Sequence, residues 1–320
     1  MRGVFLCEKK ELTQQELALL GEGVTYTDAE AIELFIKSRY IKNVRTSTLE
    51  FYEVALRTFR RTLTELCIEK RLTDVTAPDI HRVIERWLAT LKTTTINSKL
   101  TCIRAFYNFL YAQGLTATDV AKKVHKLRVR RKIYDTLERN EIKLIVREFK
   151  KNNTFRAFRN LTIFQLLLDT GIRINECLHI KIDDVHDDYI VIAETKNLSQ
   201  RIVYLSDDMI ARLKVYVKVR GQLATSFLFV NIEDERLQAR TYQEHLKAIA
   251  NLAGVNKNVS PHMCRRTYAK QAVLAGIDPF SLASLLGHSS IEVTKQYVQL
   301  WGSDLKNQAK LKADYGDIFK

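Results

Sequence analysis

The sequence predicts a mainly α-helical protein of two domains, with a small β-hairpin in the second. Gly and Pro, the residues that break helices, number only 11 and 3 among 320. Apolar residues recur with helical spacing over most of the chain, and two short β-rich runs interrupt them. One hydrophobic core stops growing at roughly 250–300 residues, so a chain of this length is expected to form two domains.

The first predicted domain is a small helical domain over residues 27–120. Residues 1–26 are polar without a strong period and are predicted to form a short N-terminal arm. In a capping box at a helix start, the side chain of a Ser or Thr accepts the backbone amide of a Glu three residues later. The Glu side chain in turn accepts the backbone amide of the Ser or Thr. The expected helix starts are Thr27 with Glu30, Ser47 with Glu50, and Thr76 with Pro78, before a fourth helix over 95–113 that ends at Gly114.

A basic linker is predicted over residues 121–135. Between 122 and 132, seven of eleven residues are Lys or Arg and none is acidic, and no apolar stripe of helical period is present. We expect this segment to lie on a phosphate backbone, although a charge run that only faces solvent is the alternative. The expected DNA-contacting cations are Lys122, Lys123, Lys126, Arg128, Arg130, Arg131 and Lys132.

The net charge of +14 and the pI of about 9.5 indicate a polyanionic partner. Nucleic acid is the first candidate, an anionic membrane surface the second, and a generic solubility surface remains the alternative. No apolar run approaches the roughly 20 residues that cross a membrane, and Met1–Cys7 is too short for a signal segment. The five scattered cysteines lack metal-ligand spacing, so we expect buried thiols in a cytoplasmic protein without a metal.

The second predicted domain covers residues 136–300 and is helical apart from the hairpin. The hairpin strands are expected over 189–193 and 201–205, and the apolar run 227–230 is predicted to be a strand or buried coil. A tail over 301–320 follows. The predicted helices are 138–150, 155–169, 207–220, 240–253, 261–275, 279–286 and 290–300.

Cutting a phosphodiester bond without a metal needs three kinds of side chain. Fixed cations must stabilise the negative charge that grows on the phosphate oxygens, and the fork of arginine matches two such oxygens. A nucleophile must attack phosphorus, and a general acid must protonate the leaving oxygen. The second domain contains candidates for each.

The first candidate is Arg173, in the run TGIRINE. Gly171 ends the preceding apolar helix, so Arg173 is expected at a turn into a new helix. Glu176 lies one helical turn further on, where its carboxylate can orient the guanidinium. The alternative for Arg173 is an ordinary surface arginine that caps a helix.

The second group is the run SPHMCRR. Ser260 and Pro261 fit a helix start. His262 and Arg265 are then three residues apart in the first turn, where the helix dipole favours an anion. Arg266 adds positive charge. A surface His/Arg pair is the alternative.

The third group is the run LLGHSS followed by IEVTKQY. His288 comes directly after Gly287, a predicted helix end, and Tyr297 lies nine residues later. Lys196 falls in the hairpin loop, from which a lysine can reach into a cleft. The alternatives are core packing for Tyr297 and simple solvent exposure for Lys196.

The order of these groups resembles the catalytic domain of the tyrosine recombinases, the phage integrase family. The runs TGIRINECL, ETKNLSQRIVYL, HMCRRTYA and LLGHSSIEVTKQY carry the resemblance over residues 136–300. Residues 28–115 resemble, more loosely, the family's helical core-binding domain. The sequence departs from the family pattern at Arg266, where relatives often have His, and in the loop around Lys196, which lacks the usual glycines.

The resemblance implies a role for each candidate residue. Tyr297 matches the nucleophile that forms a 3′-phosphotyrosyl link and frees a 5′-hydroxyl. Such enzymes need neither a metal nor ATP, because arginines bear the charge and the covalent link conserves the bond energy. Arg173 and Arg265 match the two arginines that hold the phosphate oxygens, and His288 matches a further hydrogen-bond donor to them. Lys196 matches the general acid, and His262 matches the histidine that assists proton transfer at the tyrosine. Glu176 matches an acidic residue that supports the first arginine.

The resemblance also implies partners. The expected substrate is double-stranded DNA with specific recombination sites, gripped by a two-domain C-shaped clamp that reads bases in part through the helix at 95–113. A homotetramer on two DNA sites is expected, with tail 301–320 on a neighbouring protomer or on its own domain. An accessory DNA-bending protein or a second recombinase is a further expected partner, and a mobile element is one expected source.

Two other functions remain as alternatives. A type IB topoisomerase uses the same residue types but relaxes DNA as a monomer. A catalytically silent relative would only bind DNA, but the presence of Arg173, Arg265 and Tyr297 argues against this.

Overall fold

The computed structural model describes residues 26–129, 135–193 and 200–287, together with five residues between 291 and 297. The chain divides into two compact units, Met1–Arg131 and Lys132–Lys320. Several predicted features lie outside the described residues: most of the N-terminal arm, tail 301–320, and the residues Arg130, Arg131, Lys132, Lys196 and His288.

The first unit is helical. Thr27 and Glu30 form the predicted capping box, in which the Thr27 amide donates to Glu30 Oε2 at 2.8 Å. Thr76 opens the third helix as predicted, with Asp79 as its partner. The helices are α1 (Asp28–Ile41), α2 (Thr46–Glu65), α3 (Ala77–Leu88), α4 (Thr93–Ala112) and α5 (Val120–Lys123), with a 3₁₀ turn at Leu72–Asp74.

The predicted start of α2 at Ser47 is wrong. The helix begins at Thr46, after Arg45, and no side chain caps it. The carbonyl of Arg45 accepts the amides of Thr48 and Leu49 at 2.8 and 3.1 Å, so the N-cap is Arg45, two residues before the predicted Ser47. Ser47 therefore lies inside the first turn.

Aromatic side chains fill the core of the first unit. Phe35 meets Phe106 edge-on at 5.5 Å between ring centroids, and Phe59 meets Tyr107 edge-on at 6.4 Å. The Tyr107 hydroxyl donates to the carbonyl of Leu72 at 3.0 Å, which satisfies its polar end inside the core. This core joins α1, α2 and α4 around one apolar centre.

Contacts at two residues hold the segment after α5 to the first unit. Val124 is buried, and the side chain of Asn97 on α4 exchanges two hydrogen bonds with the backbone of Leu127, at 2.9 and 2.8 Å. The backbone here is therefore fixed although the sequence has no periodic apolar stripe. The four described linker cations are all exposed: Lys122, Lys123, Lys126 and Arg128.

The second unit contains the predicted hairpin between α-helices. The strands pair antiparallel from Tyr189 with Tyr204 to Ile192 with Arg201. The elements are α6 (Arg139–Lys150), α7 (Phe155–Thr170), α8 (Ile174–Leu178), β1 (Tyr189–Ile192), β2 (Arg201–Tyr204), α9 (Asp207–Arg220), α10 (Ala239–Leu252), α11 (Pro261–Leu274) and α12 (Pro279–Leu286). The predicted mainly helical fold with a small β-hairpin is confirmed.

The run 227–230 is buried coil rather than a strand. Phe227 and Val230 each form an isolated bridge, with Lys181 and Arg236. The run packs on the core of the unit, where Leu228 and Phe229 are fully buried.

Helix α7 is the centre of the second unit. Leu161, Ile163, Phe164, Leu166 and Leu167 are all buried, so the helix is covered on several sides. Helices α6, α9 and α11 pack against it. This packing brings the start of α11 to the end of α7, and the candidate site is built there.

One cysteine departs from the prediction of buried thiols. Cys102, Cys177 and Cys264 are buried, but Cys67 is exposed, and it lies just after the end of α2 in a left-handed conformation with φ of 56°. Among the described residues, no helix is long and apolar enough to cross a membrane, and no three His, Cys, Asp or Glu side chains group as metal ligands.

Candidate active site

The site forms where the end of α7 meets α11 and α12. Gly171 ends α7 with a left-handed φ of 63°. A Cβ at this position would lie 2.5 Å from Cδ1 of Tyr268 on α11 and 2.9 Å from Cδ2 of Leu286 on α12. Only glycine therefore allows both helices to approach this closely.

Arg265 joins these helix ends. Its guanidinium donates from Nη1 to the carbonyl of Gly171 and from Nη2 to the carbonyl of Leu286, both at 2.7 Å. Helix C-termini carry free carbonyls and partial negative charge, so they suit a buried cation. Burial, followed by the charge of Arg173, lowers the pKa of Arg265 to about 10, and the side chain therefore stays protonated at neutral pH.

Arg173 approaches the same helix end from α8. It donates from Nη2 to the carbonyl of Gly287 at 3.2 Å and from Nη1 to Oε1 of Glu176 at 2.9 Å. The Arg173 amide also donates to Oε2 of Glu176, at 3.0 Å. The Arg173 side chain is 29% exposed, so part of the guanidinium can meet a ligand.

Glu176 receives a second arginine that sequence reasoning missed. Arg201, the first residue of β2, donates from Nη2 to Oε2 of Glu176 at 2.8 Å. Burial alone would raise the pKa of Glu176, but the hydrogen bonds and charge of Arg201, and then of Arg173, lower it. The only sequence signal for Arg201 was its place at the mouth of the hairpin.

His262 lies in the first turn of α11 with its side chain exposed. Partial desolvation and then the charges of Arg265, Arg266 and Arg173 lower its pKa, because each disfavours the charged imidazolium. The ring is therefore neutral at neutral pH and able to accept a proton. Arg266 donates from Nε to the carbonyl of His262 at 3.2 Å.

Tyr297 packs beside this cluster. It is half-buried against the apolar contact between α11 and α12, which includes Ala269, Leu282 and Leu286. Its hydroxyl is close enough to Arg265 for the charge of the ionised form to raise the pKa of that arginine. Tyr297 therefore both packs in this apolar contact and lies near the arginines.

The assembled group is suited to an oxyanion. Arg173 and Arg201 pair with the carboxylate of Glu176, and Arg265 lies near enough for its pKa to feel the charges of Glu176 and of both arginines, so the group carries an excess of positive charge. Fixed, partly buried arginines stabilise negative charge on phosphate oxygens more strongly than mobile surface cations do. A separate cleft of about 710 Å³ between β1 and α9 includes none of these arginines.

Comparison with known proteins gives consistent matches. The phage integrase family matches residues 135–302, and the phage integrase N-terminal SAM-like domain matches residues 34–114. The tyrosine recombinase XerD of Staphylococcus saprophyticus is 30% identical over 213 residues, which cover 65% of this chain and 72% of that protein.

Two solved structures share the fold. An integrase of transposon Tn1549, in complex with transposon right end DNA, aligns with a TM-score of 0.74 at 17% identity, over 88% of this chain and 99% of the other. A lambda integrase tetramer bound to a Holliday junction aligns with a TM-score of 0.70 at 16% identity, over 88% and 79%.

Proposed function

The chain belongs to the phage integrase family of tyrosine recombinases, and from this premise we propose that it cuts and rejoins DNA through Tyr297. It is a site-specific DNA recombinase, an enzyme that breaks and rejoins DNA. One observation carries the residue assignment. Arg173 and Arg265, 92 positions apart in the sequence, both donate to the last carbonyls of α12, beside a half-buried tyrosine.

In the proposed cleavage step, Arg173 and Arg265 hold the non-bridging oxygens of the scissile phosphate. The Tyr297 oxygen attacks phosphorus, a bond from tyrosine to phosphorus forms, and the bond from phosphorus to the 5′-oxygen breaks. The neutral ring of His262 takes the tyrosine proton, in keeping with its lowered pKa. Lys196 gives a proton to the leaving 5′-oxygen, and His288 donates to a phosphate oxygen.

Rejoining runs the same step in reverse with a new 5′-hydroxyl. The phosphotyrosyl link conserves the energy of the phosphodiester bond, so ligation needs no ATP. The buried carboxylate of Glu176 supports the phosphate-binding arginine, since Arg173 donates to it twice.

DNA is the substrate. We propose that the enzyme acts as a homotetramer on two duplexes, with tail 301–320 on a neighbouring protomer. The exposed linker cations support phosphate contact, because their backbone is fixed while their charges face solvent. The four described cations are Lys122, Lys123, Lys126 and Arg128.

The test is trapping of the covalent intermediate. Nicked duplexes tiled from the DNA around the gene are incubated with full-length protein in EDTA and run on denaturing gels. Because the nick lets the cleaved fragment diffuse away, an adduct should accumulate for wild type and not for Tyr297→Phe. Tyr204→Phe is the matched control, since Tyr204 is 63% exposed on β2 and its loss should leave the adduct unchanged.

The outcomes separate the alternatives. Tight binding to these duplexes without an adduct contradicts the cleavage function and favours a DNA-binding role. Relaxation of supercoiled plasmids of any sequence by the monomer contradicts site-specific recombination and favours the topoisomerase-like activity. An adduct at one site, lost only with Tyr297, agrees with the proposal.

A further inference from the structure

Arg201 is held in one position by the protein. Its side chain is 13% exposed and donates from Nη2 to Glu176, whose own side chain is 4% exposed. Ion pairs on the surface contribute little, but a buried pair whose partner is removed leaves a charge without compensation. The pair between Arg201 and Glu176 belongs to the second kind.

A second contact fixes the same guanidinium against α12. Gly287 ends α12 with a left-handed φ of 64°, and a Cβ there would lie 2.9 Å from both Cζ and Nη1 of Arg201. The guanidinium therefore fills the space that a side chain would take at Gly287. The carbonyl of the same glycine accepts Nη2 of Arg173.

Glu176 and Gly287 thus each contact two arginines, Arg173 and Arg201. Oε1 of Glu176 accepts the side chain of Arg173, and Oε2 accepts both the Arg173 amide and Arg201. Without Arg201, Oε2 would lose one of its two donors, and the carboxylate would be free to turn toward the Arg173 side chain and draw that guanidinium away from Gly287. A shift of about 1 Å in a catalytic group is enough to slow a reaction roughly 100-fold.

We propose that Arg201 is a positioning residue for DNA cleavage, which holds Glu176 and Gly287 in place and thereby sets the position of Arg173. The inference rests on the proposed function, because Arg173 is taken to bind the scissile phosphate. Arg201 itself contacts no substrate in this account. It joins β2 to the end of α12 and to the start of α8.

The experiment measures the rate of adduct formation at saturating protein, separately from DNA affinity. Arg201→Met should slow the adduct step by about 10–100-fold, as losses of orienting partners do, without a change in DNA affinity. Arg201→Lys keeps a charge for Glu176 and should recover part of the rate. Arg212→Met is the matched control: Arg212 is half-buried in the same unit and donates from Nε to Thr162 at 3.0 Å, away from Glu176.

A double-mutant cycle tests the route through Glu176. If Arg201 acts by holding this carboxylate, the Arg201→Met/Glu176→Gln pair should be about as slow as Glu176→Gln alone. Losses that multiply would show that Arg201 acts elsewhere and would overturn the inference. Thermal denaturation of each variant gives the folded fraction, and Arg201→Lys serves if Arg201→Met does not fold.

The pH profile is a readout that a purely structural role would not move. Arg173 and Arg201 donate to Glu176, and the charge of Glu176 also acts on Arg265 and on the thiol of Cys177. Loss of Arg201 removes the main influence that lowers its pKa, so the adduct rate of Arg201→Met should begin to fall at a higher pH than that of wild type. An unchanged profile contradicts the proposal.

Failure of the inference and failure of the proposed function give different results. If wild type forms no adduct on any duplex, the cleavage function itself is wrong. If wild type forms the adduct and Arg201→Met forms it at the same rate, only the role of Arg201 is wrong.

Discussion

Substitution of Gly171 by alanine tests the junction on which the site is built. An L-residue in the left-handed conformation costs about 1–2 kcal/mol. The new Cβ would also lie 2.5 Å from Tyr268 and 2.9 Å from Leu286, and overpacking of a core typically costs about 1–3 kcal/mol. Gly171→Ala should therefore lower the free energy of unfolding by about 2–5 kcal/mol, of which the steric part is specific to this site.

Gly254→Ala provides the matched control in the same unit. Gly254 has a φ of 75°, but a Cβ there would meet nothing within 4 Å, so only the conformational cost of about 1–2 kcal/mol applies. Both variants are measured in the full chain by urea denaturation followed by circular dichroism. If Gly171→Ala costs no more than Gly254→Ala, α11 and α12 do not close on Gly171 as described and the reasoning is refuted.

Three further predictions concern the cations of the protein. Arg265→Ala leaves two buried carbonyls without their charged donor, so it should lower the free energy of unfolding by about 3 kcal/mol or more in urea denaturation. The variant should also form no covalent adduct. Unchanged stability would contradict the two hydrogen bonds. The lowered pKa of His262 keeps its ring neutral, and the neutral ring is the proposed base, so the adduct rate should stay constant at neutral pH and fall only in acid. His262→Gln should remove the part of this fall that comes from His262 and leave the part that comes from protonation of Glu176. The four described linker cations can be replaced by glutamine: Lys122, Lys123, Lys126 and Arg128. The slope of log affinity against log salt concentration should then fall in magnitude by about 0.9 for each phosphate that the variant no longer neutralises. An unchanged slope would exclude these side chains from the DNA interface.

Features set by neighbouring residues were predictable from the sequence. The capping box of Thr27 with Glu30 and the helix start at Thr76 follow from contacts within four residues. The hairpin was predictable because two β-rich runs are separated by a polar stretch. The start of α2 was not, because Thr46, Ser47 and Thr48 are all hydroxyl residues and the backbone, not a side chain, fixes the first turn.

Features set by tertiary contact were not predictable in the same way. The sequence placed Arg173 and Glu176 one helical turn apart, but nothing local links Glu176 to Arg201, 25 residues later. Nor does any local pattern indicate that Arg265 binds carbonyls at the ends of two other helices. These contacts exist only once α7, α11 and α12 have packed together.

The central claim is that Tyr297 carries the covalent link to DNA, and mass spectrometry of the trapped adduct tests it most directly. After digestion of the DNA and cleavage with trypsin, the peptide from Gln296 to Lys306 contains Tyr297 as its only tyrosine. We expect a nucleotide mass on this peptide, linked through the 3′-phosphate of the cleaved strand. A nucleotide on any other peptide, or a link through the 5′-phosphate, would contradict it.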